Sequence, residues 1–357
     1  MPDTSSHNDI QLQQGREAID VINGKLLELL SERARISLII AERKAALGLP
    51  GFDPMRESAM LAKLAQQNPG PFPDETIQAL FKTLFRATQN FMESNGRRDM
   101  LFSRRHRPGN TIIEVNGVRL GEGGLAWVAG PCSVENEAQV EAIAEHLEAR
   151  GVKIMRGGAF KPRTSPYSFQ GLGMEGVKLL AKVAERHHLA IVTEVMDASQ
   201  VERVAEYAHI LQIGARNMYN YPLLKAVGQC QRPVVLKRHF GATLEELLLS
   251  AEYVLSQGNG QVILCERGIR TFEPWARNTL DISAVPILHQ ETHLPVMVDI
   301  SHAAGRRDIL LPLARSVQAV GADAIMVEVH NQPAIAASDS QQQLDLAEFD
   351  SLQDACI

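Results

Sequence analysis

Residues 125–132 read LAWVAGPC, a short apolar run that ends in a polar residue, and similar runs recur through residue 330. The others are VKIMRGG (152–158), LAIVTEV (189–195), HILQIGAR (209–216), PVVLKRH (233–239), QVILCERG (261–268), LPVMVDIS (294–301) and DAIMVEVH (323–330). Strands that are apolar throughout are buried on both faces, as in a parallel sheet flanked by helices. Amphipathic segments separate most of the runs, so strand and helix alternate eight times. We therefore expect the fold class α/β, with a (β/α)8 TIM barrel.

The residues before these runs follow a helical pattern instead. Asp53 with Pro54 and Asp74 after Pro73 are typical helix starts, which predicts a second and a third helix in this region. The first helix has an apolar seam at steps of three and four residues, with position 33 vacant: Ile19, Ile22, Leu26, Leu29, Ile36 and Ile40.

The chain of 357 residues is longer than a barrel needs. A barrel takes roughly 250 residues, which leaves about 100 for other structure. We expect an all-α three-helix domain over 9–95, a basic linker over 96–110 and the barrel domain over 111–357. The segment TIIEVNGVRLG indicates a β-hairpin with Asn116 and Gly117 at its turn. This hairpin would be either a lid over the bottom of the barrel or a subunit contact.

Composition excludes several classes of function. The formal net charge of −6 argues against general nucleic-acid binding, which normally needs a basic surface. The first residues, MPDTSSHNDI, lack the features of a secretory signal, and no apolar stretch is long enough to cross a bilayer. The four cysteines have no disulfide-framework spacing, which suits reduced thiols in the cytoplasm.

The carboxyl ends of barrel strands form the active site in this fold class. Cations cluster at or just beyond these predicted ends: Arg156, Lys161, Arg163, Arg216, Lys237 and Arg267. Converging cations repel one another unless anions occupy the space between them, and the arginine fork fits phosphate or carboxylate. Two phosphorylated ligands, or one that also carries a carboxylate, fit best. The alternative is that several of these cations form surface salt bridges.

The same predicted rim carries a mixed set of potential metal ligands. They are Cys132 after the first strand, His302 after the seventh, Glu328 at the end of the eighth and Asp339 in the loop beyond it. Thiolate, imidazole and carboxylate together suit a borderline divalent ion such as Mn, Fe, Co or Zn. Taken singly, Cys132 and His302 are more often ordinary buried residues. A metal-free alternative is an aldolase that forms a Schiff base through Lys161 or Lys237.

Cations also mark the helical region. Arg33 occupies the vacant seam position, and a buried cation is costly unless it is paired, so Arg33 is either a register device or a site residue. Lys44 lies about three turns further on the same face, whereas Arg16 points a quarter turn away and could serve a neighbouring subunit. Arg56 and Glu57 open the second helix. A cationic pocket among helices suits a small dicarboxylate.

The barrel region resembles a known enzyme family over about residues 120–350. Its motifs AGPCS, RGGAFKPRTSPYSFQGLG, QIGARN, LKR, ILCERGIRTFE, RNTLDISAVP and VEVH are similar to those of the 3-deoxy-D-arabino-heptulosonate 7-phosphate (DAHP) synthases. The similarity is to the subfamily that also resembles 3-deoxy-octulosonate 8-phosphate synthases, and the sequence KPRT at 161–164 favours the heptulosonate version. One departure is VDISHAAGRR, where the family usually has Pro at 300 and Ser-Gly at 303 and 304.

This resemblance implies a metal-dependent condensation of phosphoenolpyruvate with erythrose 4-phosphate. It implies that a divalent ion is held by Cys132, His302, Glu328 and Asp339. Arg163 and Thr164 would take the phosphate of erythrose 4-phosphate, and Lys161 would handle protons with Glu194 and His302 nearby. The resemblance also implies a phosphoenolpyruvate site made of Arg156, Lys161, Arg216, Lys237 and Arg267.

The helical region resembles the all-helical chorismate mutases over about residues 10–95. The motif runs through GREAIDVINGKLLELLSER, ERK and DPMRE. Met92 stands where the family has Gln or Glu, and neither Gln89 nor Glu93 clearly replaces that residue, so weak turnover is expected. The domain would be a working mutase, a regulatory module that senses chorismate or prephenate, or both, in a homo-oligomer (dimer or tetramer). The implied chorismate site comprises Arg16 from a partner chain, Arg33, Lys44, Asp53, Arg56 and Glu57.

Overall fold

The structure is a computed structural model that describes residues 4–47, 49, 53–96, 100–161 and 167–356. The chain forms two compact units, Met1–Asp99 and Met100–Ile357. Residues directly after this division contact the barrel, since the backbone N–H groups of Leu101 and Phe102 donate to the carboxylate of Glu252. The linker bounds of 96 and 110 stay a prediction.

The first unit contains three helices, α1 (Thr4–Ala46), α2 (Pro54–Gln66) and α3 (Asp74–Gly96). Asp53 caps α2, because its side chain accepts a hydrogen bond from the backbone N–H of Arg56 at 3.1 Å. This confirms the predicted start of the second helix. With 43 residues, α1 is about 65 Å long at 1.5 Å per residue.

The apolar seam of α1 is largely exposed within this chain. Ile19, Ile22 and Leu29 keep 59%, 55% and 61% of their surface exposed, although all three belong to the same seam. Arg33, in the vacant position, is only partly exposed. No helix in the described part of the chain combines the length and the hydropathy needed to span a membrane.

The second unit opens with the predicted hairpin, strands β1 (Ile113–Val115) and β2 (Val118–Leu120). Asn116 and Gly117 at its turn both have positive φ values, 51° and 76°, as the Asn-Gly signal predicts. The Asn116 side chain donates to the carbonyl oxygens of Lys153 and His188, which precede two barrel strands. The apolar side chains of the hairpin pack with residues inside the barrel, so the hairpin closes its amino-terminal end.

Eight parallel strands follow and close into a barrel in which the last strand pairs with the first. The strands are β3 (Ala126–Gly130), β4 (Ile154–Arg156), β5 (Ala190–Val195), β6 (Ile210–Ile213), β7 (Val234–Lys237), β8 (Val262–Glu266), β9 (Val296–Asp299) and β10 (Ala324–Glu328). Nearly every residue of these strands is buried, as expected for a sheet covered on both faces. The (β/α)8 prediction is confirmed.

Helices cover the outer face of this barrel and connect its strands. They are α4 (Glu137–Ala149), α5 (Gly173–Arg186), α6 (Val201–Ala205), α7 (Tyr221–Gln229), α8 (Leu244–Leu255), α9 (Ala284–Glu291), α10 (Ile300–Ala304), α11 (Leu310–Ala319) and α12 (Leu346–Asp354). The large apolar core lies between the helices and the strands, while a smaller one fills the barrel interior. This closed scaffold brings the carboxyl ends of all eight strands to one rim.

Candidate active sites

Three of the four predicted metal ligands meet at this rim. Cys132, Glu328 and Asp339 each offer a ligand atom, and these atoms all lie within 4.8 Å of one another. Glu328 ends β10, and Cys132 lies two residues beyond β3. Because β10 and β3 are adjacent, hydrogen-bonded strands of the barrel, the two residues lie close together. Asp339 is turned toward them by a left-handed backbone conformation, with φ of 48°. A thiol with two carboxylates is a donor set that fits a borderline divalent cation.

The fourth predicted ligand, His302, lies beside this group. Its Nε2 is 3.6 Å from Oε1 of Glu328, and its Nδ1 is 2.8 Å from Oδ2 of Asp299. Asp299 ends β9 and also accepts from the backbone N–H of His302 at 2.9 Å, so it caps the short helix α10. A carboxylate behind one ring nitrogen is the usual arrangement for a metal-binding histidine, because it orients the ring.

Buried cations surround the ligand group. Arg156, at the end of β4, pairs with Oε1 of Glu328, and Lys237, at the end of β7, pairs with Asp299. Lys161 donates from Nζ to the carbonyl oxygen of Cys132 at 2.9 Å and to its Sγ at 3.0 Å. These cations are at most 9% exposed, so their charges act in a site from which bulk water is largely excluded.

The pKa values of the ligand group reflect this burial. Burial, together with the charge of Glu328, raises the pKa of the Cys132 thiol to about 12. Burial also acts to raise the pKa of Glu328, but the charges of His302 and Arg156 outweigh it and lower that pKa well below its usual range. The site therefore contains a firmly ionised carboxylate next to a thiol. A bound divalent ion would favour the thiolate form, because metal ligands must be deprotonated.

Glu194 lies at the same rim on β5, and its pKa is raised. Burial is the main cause, and it outweighs the opposing charges of Lys161 and Lys237. Gly214, just after β6, makes room for this carboxylate, since a Cβ there would lie 2.0 Å from Oε1 of Glu194. The glycine of the QIGAR motif is thus required sterically, a role that the sequence pattern did not reveal.

Of the remaining predicted anion-binding residues, Arg267 and Arg216 follow barrel strands, and two others are not described. Arg267 is 6% exposed just beyond β8, and its NH2 donates to the carbonyl oxygen of His302 at 3.4 Å. Burial lowers the pKa of its guanidinium. Arg216 lies on the turn after β6 and interacts electrostatically with Glu194. Arg163 and Thr164 lie outside the described residues.

Sequence reasoning gave no role to Arg238, which follows Lys237. It is buried, donates from Nε to the carbonyl oxygen of Ala242 and pairs through NH1 with Glu266 and Asp281, each at 2.8 Å. These contacts join the ends of β7 and β8, so they fix the place of Lys237. The signal was available, because an arginine that directly follows an apolar strand must find partners if it is buried.

In the helical unit, five of the six predicted residues line one cavity of about 420 Å³. They are Arg33, Lys44, Asp53, Arg56 and Glu57. The sixth, Arg16, is exposed on α1 and is not among the residues that line the cavity. Its contribution from a partner chain stays a prediction.

Two wall residues that the sequence did not single out hold Arg33 in place. Its NH1 donates to Oγ1 of Thr88 at 2.5 Å, and its guanidinium lies 5.2 Å from the ring centre of Phe85. Burial lowers the pKa of Arg33. Met92 also lines the cavity, which agrees with its predicted place in the site. Among the described residues Arg33 thus contacts a neutral hydroxyl and an aromatic face, and its charge can interact with an anion in the cavity.

Comparison with known proteins gives two matching families. The DAHP synthetase I family matches residues 110–357, and chorismate mutase type II matches residues 15–93. A phospho-2-dehydro-3-deoxyheptonate aldolase from Thermotoga maritima is 52% identical over 252 residues, which cover 71% of this chain and 75% of that protein. A 2-dehydro-3-deoxyphosphooctonate aldolase from Syntrophotalea carbinolica is 33% identical over 240 residues, covering 62% of this chain and 86% of that one.

Solved structures give the same result for the barrel. The crystal structure of the Thermotoga maritima DAHP synthase has a TM-score of 0.69 and 52% identity, covering 71% of this chain and 74% of that one. A truncated form of the 3-deoxy-D-arabino-heptulosonate 7-phosphate synthase from the same organism has a TM-score of 0.66 and 48% identity, covering 71% and 92%. The matched part of the truncated form is therefore nearly its whole chain.

Proposed function

Since this chain belongs to the DAHP synthetase I family and carries a chorismate mutase type II region, we propose that its barrel condenses phosphoenolpyruvate with erythrose 4-phosphate. The products are DAHP and phosphate, the first step of the shikimate pathway. The observation that carries the proposal is the meeting of Cys132, Glu328 and Asp339 at a rim lined by buried cations. Both family resemblances inferred from the sequence are confirmed.

The cations provide the phosphoenolpyruvate site. Arg156, Lys237 and Arg267 are each at most 6% exposed at three strand ends, and Arg216 lies on a fourth. Fixed positive charges in a water-poor site bind phosphate and carboxylate strongly and need no reorganisation during the reaction. Arg163 and Thr164 are proposed to bind the phosphate of erythrose 4-phosphate, because the KPRT motif carries them next to Lys161.

A divalent ion (Mn, Fe, Co or Zn) would be held by Cys132, His302, Glu328 and Asp339, whose donor types suit such an ion. When bound, the ion would supply Lewis-acid polarisation of the aldehyde of erythrose 4-phosphate. Lys161, whose Nζ lies 3.0 Å from Sγ of Cys132, would deliver a proton to the aldehyde oxygen of erythrose 4-phosphate as the carbon–carbon bond forms. Glu194, with its raised pKa, is the candidate to take a proton from the water that adds before phosphate leaves.

A Schiff-base aldolase is the alternative chemistry. It needs an amine that is free to attack the substrate carbonyl, whereas Lys161 donates to two acceptors on Cys132 and Lys237 is ion-paired with Asp299. These contacts occupy both amines and support the metal-dependent route. Two experiments separate the routes: a chelator should stop phosphate release from the two substrates, and borohydride should trap no substrate on the protein. Full activity after chelation would contradict the metal proposal.

Substrate choice between the two related synthases needs its own test. The 2-dehydro-3-deoxyphosphooctonate aldolase from Syntrophotalea carbinolica is 33% identical to this chain, against 52% for the heptonate aldolase from Thermotoga maritima. The octulosonate reaction makes an eight-carbon product, so it requires a five-carbon aldehyde phosphate instead of erythrose 4-phosphate. We expect kcat/KM with erythrose 4-phosphate to exceed that with the five-carbon aldehyde at least about 100-fold, about 2.7 kcal/mol of discrimination. Equal values would assign the barrel to the octulosonate reaction.

For the helical unit we propose conversion of chorismate to prephenate in the cavity that Arg33, Lys44 and Arg56 line. The rearrangement needs conformational restraint and positive charge near the ether oxygen, and it needs no cofactor. The same cavity is proposed to bind chorismate or prephenate as a feedback signal for the barrel. A chain that begins at residue 100 should keep synthase activity and lose inhibition by prephenate. Equal inhibition of that shorter chain would contradict the regulatory role.

The exposed seam of α1 supports a homo-oligomer, either a dimer or a tetramer. Leu26 and Leu29 keep 51% and 61% of their surface exposed, and Ile36 keeps 50%, an apolar stripe that a second copy can cover. In such an assembly Arg16 would reach the partner's cavity. Leu29→Lys should reduce the size seen in sedimentation, whereas Lys25→Ala, on the same helix, should not.

A further inference from the structure

The loop after β10 contacts the ligand group through side chains that are not predicted ligands. Ser338 donates from Oγ to Sγ of Cys132 at 3.0 Å. Gln343 accepts from the backbone N–H of Cys132 at 2.9 Å, and Gln342 donates from Nε2 to Oε2 of Glu328 at 2.6 Å. Asp339 belongs to the same loop. One short segment therefore supplies a ligand and fixes two others.

Gln342 has the most constrained of these contacts. It is 3% exposed, and its Oε1 accepts from NH1 of Arg277 at 2.8 Å. Because a guanidinium can only donate, the amide oxygen must face Arg277 and the amide NH2 must face Glu328. The same NH1 lies 3.5 Å from Oδ1 of Asp339. Arg277 thus contacts one predicted ligand directly and a second through Gln342.

Arg277 is itself fixed against the helix that carries His302. Its backbone N–H donates to the carbonyl oxygen of Ala304 at 2.9 Å, and the neighbouring Asn278 donates from Nδ2 to the carbonyl oxygen of His302 at 3.0 Å. Gly305 allows this approach, because a Cβ there would lie 2.3 Å from Cβ of Arg277. The loops after β8, β9 and β10 are therefore joined at one point.

The two oxygens of Glu328 have different partners. Arg156 pairs with Oε1, and Gln342 donates to Oε2. An arginine fork readily takes both oxygens of a carboxylate. Here the amide of Gln342 occupies Oε2 while Arg156 pairs with Oε1, so the two partners together fix the plane of the carboxylate.

We propose that Gln342 and Arg277 are positioning residues that hold Glu328 and Asp339 at the separation required for binding a divalent ion. This inference rests on the metal dependence proposed above. Residues behind metal ligands typically contribute about 10- to 100-fold to metal affinity. We expect Gln342→Met to weaken binding of Co²⁺ by that factor, and Arg277→Met to weaken it less, since Gln342 can still contact Glu328.

The test is titration of the full chain with Co²⁺, read by the thiolate-to-cobalt absorption band, which reports binding at Cys132. The matched control is Arg306→Met, because Arg306 is a partly exposed arginine near the same loops whose contacts go to Asp308 and the carbonyl oxygen of Trp275. Its Co²⁺ affinity should equal that of the unmodified chain. The double variant of Gln342 and Arg277 should lose less than the product of the two single losses, because Arg277 acts in part through Gln342.

Affinities within twofold of the unmodified chain for both single variants would overturn the positioning role. Arg277→Met guards against misfolding as the cause of any loss, because the Arg277 side chain is 40% exposed and its removal should leave the barrel folded. If the unmodified chain binds Co²⁺ without a thiolate band, Cys132 is not a ligand. That result overturns the proposed metal site as well, and it is distinguishable from a failure confined to the two variants.

Discussion

The barrel and the helical unit handle their apolar residues in opposite ways. The barrel buries them in two cores, one inside the ring of strands and one beneath the helices. In the helical unit, Leu61 and Thr88 are the only buried residues among the side chains that the structure describes, and the seam of α1 faces outward. A closed barrel with surrounding helices buries its apolar side chains within one chain. The three helices leave the apolar seam of α1 exposed, and a second protein surface is needed to cover it. We therefore expect the helical site to depend on a second chain more than the described part of the barrel site does.

The largest effect is expected from a substitution that removes a buried charge from the barrel site and leaves the helical site unchanged. Lys237→Met removes a cation that is 4% exposed and leaves Asp299 without that partner. We expect kcat/KM for DAHP formation to fall about 10³-fold, the upper range for loss of one preorganised charge. Chorismate mutase activity should not change.

Lys225→Met is the matched control, because Lys225 is an exposed lysine on α7 and belongs to neither proposed site. It should keep full synthase activity. Both tryptophans, Trp127 and Trp275, lie in the barrel, so their fluorescence during unfolding reports whether Lys237→Met still folds. Near-normal turnover by a folded Lys237→Met variant would refute its assignment.

The converse variant damages the open helical site. Arg33→Ala removes a guanidinium held by Thr88 and Phe85 at the cavity wall. Mutase kcat/KM should fall about 100-fold, a smaller loss because this partly exposed charge is better hydrated than those in the barrel. Arg35→Ala, an exposed neighbour on α1, is the control. DAHP formation should stay constant while prephenate inhibition weakens, and unchanged inhibition would separate the regulatory site from this cavity.

The sequence predicts the elements of both regions, but it does not predict the loop contacts of the barrel site or the surface that covers α1. The strands could be read because burial on both faces leaves an uninterrupted apolar run, and Cys132 and Glu328 could be placed because strand ends converge in a barrel. Gln342 and Arg277 could not be found this way, since their contacts depend on how three loops fold over the rim. In α1 the periodic seam predicts the helix, but no pattern within one chain says what covers Leu29.

A smaller effect is expected at position 92 in the helical site. Met92 lines the helical cavity and cannot donate a hydrogen bond, whereas the resembled family has Gln or Glu there. Met92→Gln should raise mutase kcat/KM about tenfold, the value of one added hydrogen bond near 1.4 kcal/mol. Met60→Gln, on another wall of the cavity, is the control and should bring no gain. No gain at position 92 would mean that the open cavity, and not this side chain, limits the rate.

The smallest effect is expected on the barrel surface, at His187, whose ring contacts Glu148 at 2.8 Å and Glu141 at 3.0 Å. Burial acts to lower the pKa of His187, but the hydrogen bonds to Glu148 and Glu141 outweigh it and raise that pKa. A raised folded-state pKa adds stability below the unfolded-state pKa, and this stability disappears as pH rises through the folded-state value.

His187→Gln should therefore lower the free energy of unfolding at acidic pH, by less than about 1 kcal/mol, and leave it unchanged at alkaline pH. Urea unfolding followed by tryptophan fluorescence measures the difference, with His106→Gln as the exposed control. If the free energy of unfolding fell by several kcal/mol, or if the loss persisted at alkaline pH, the stability of the barrel would depend on the contacts of His187 with Glu141 and Glu148 as well as on its core.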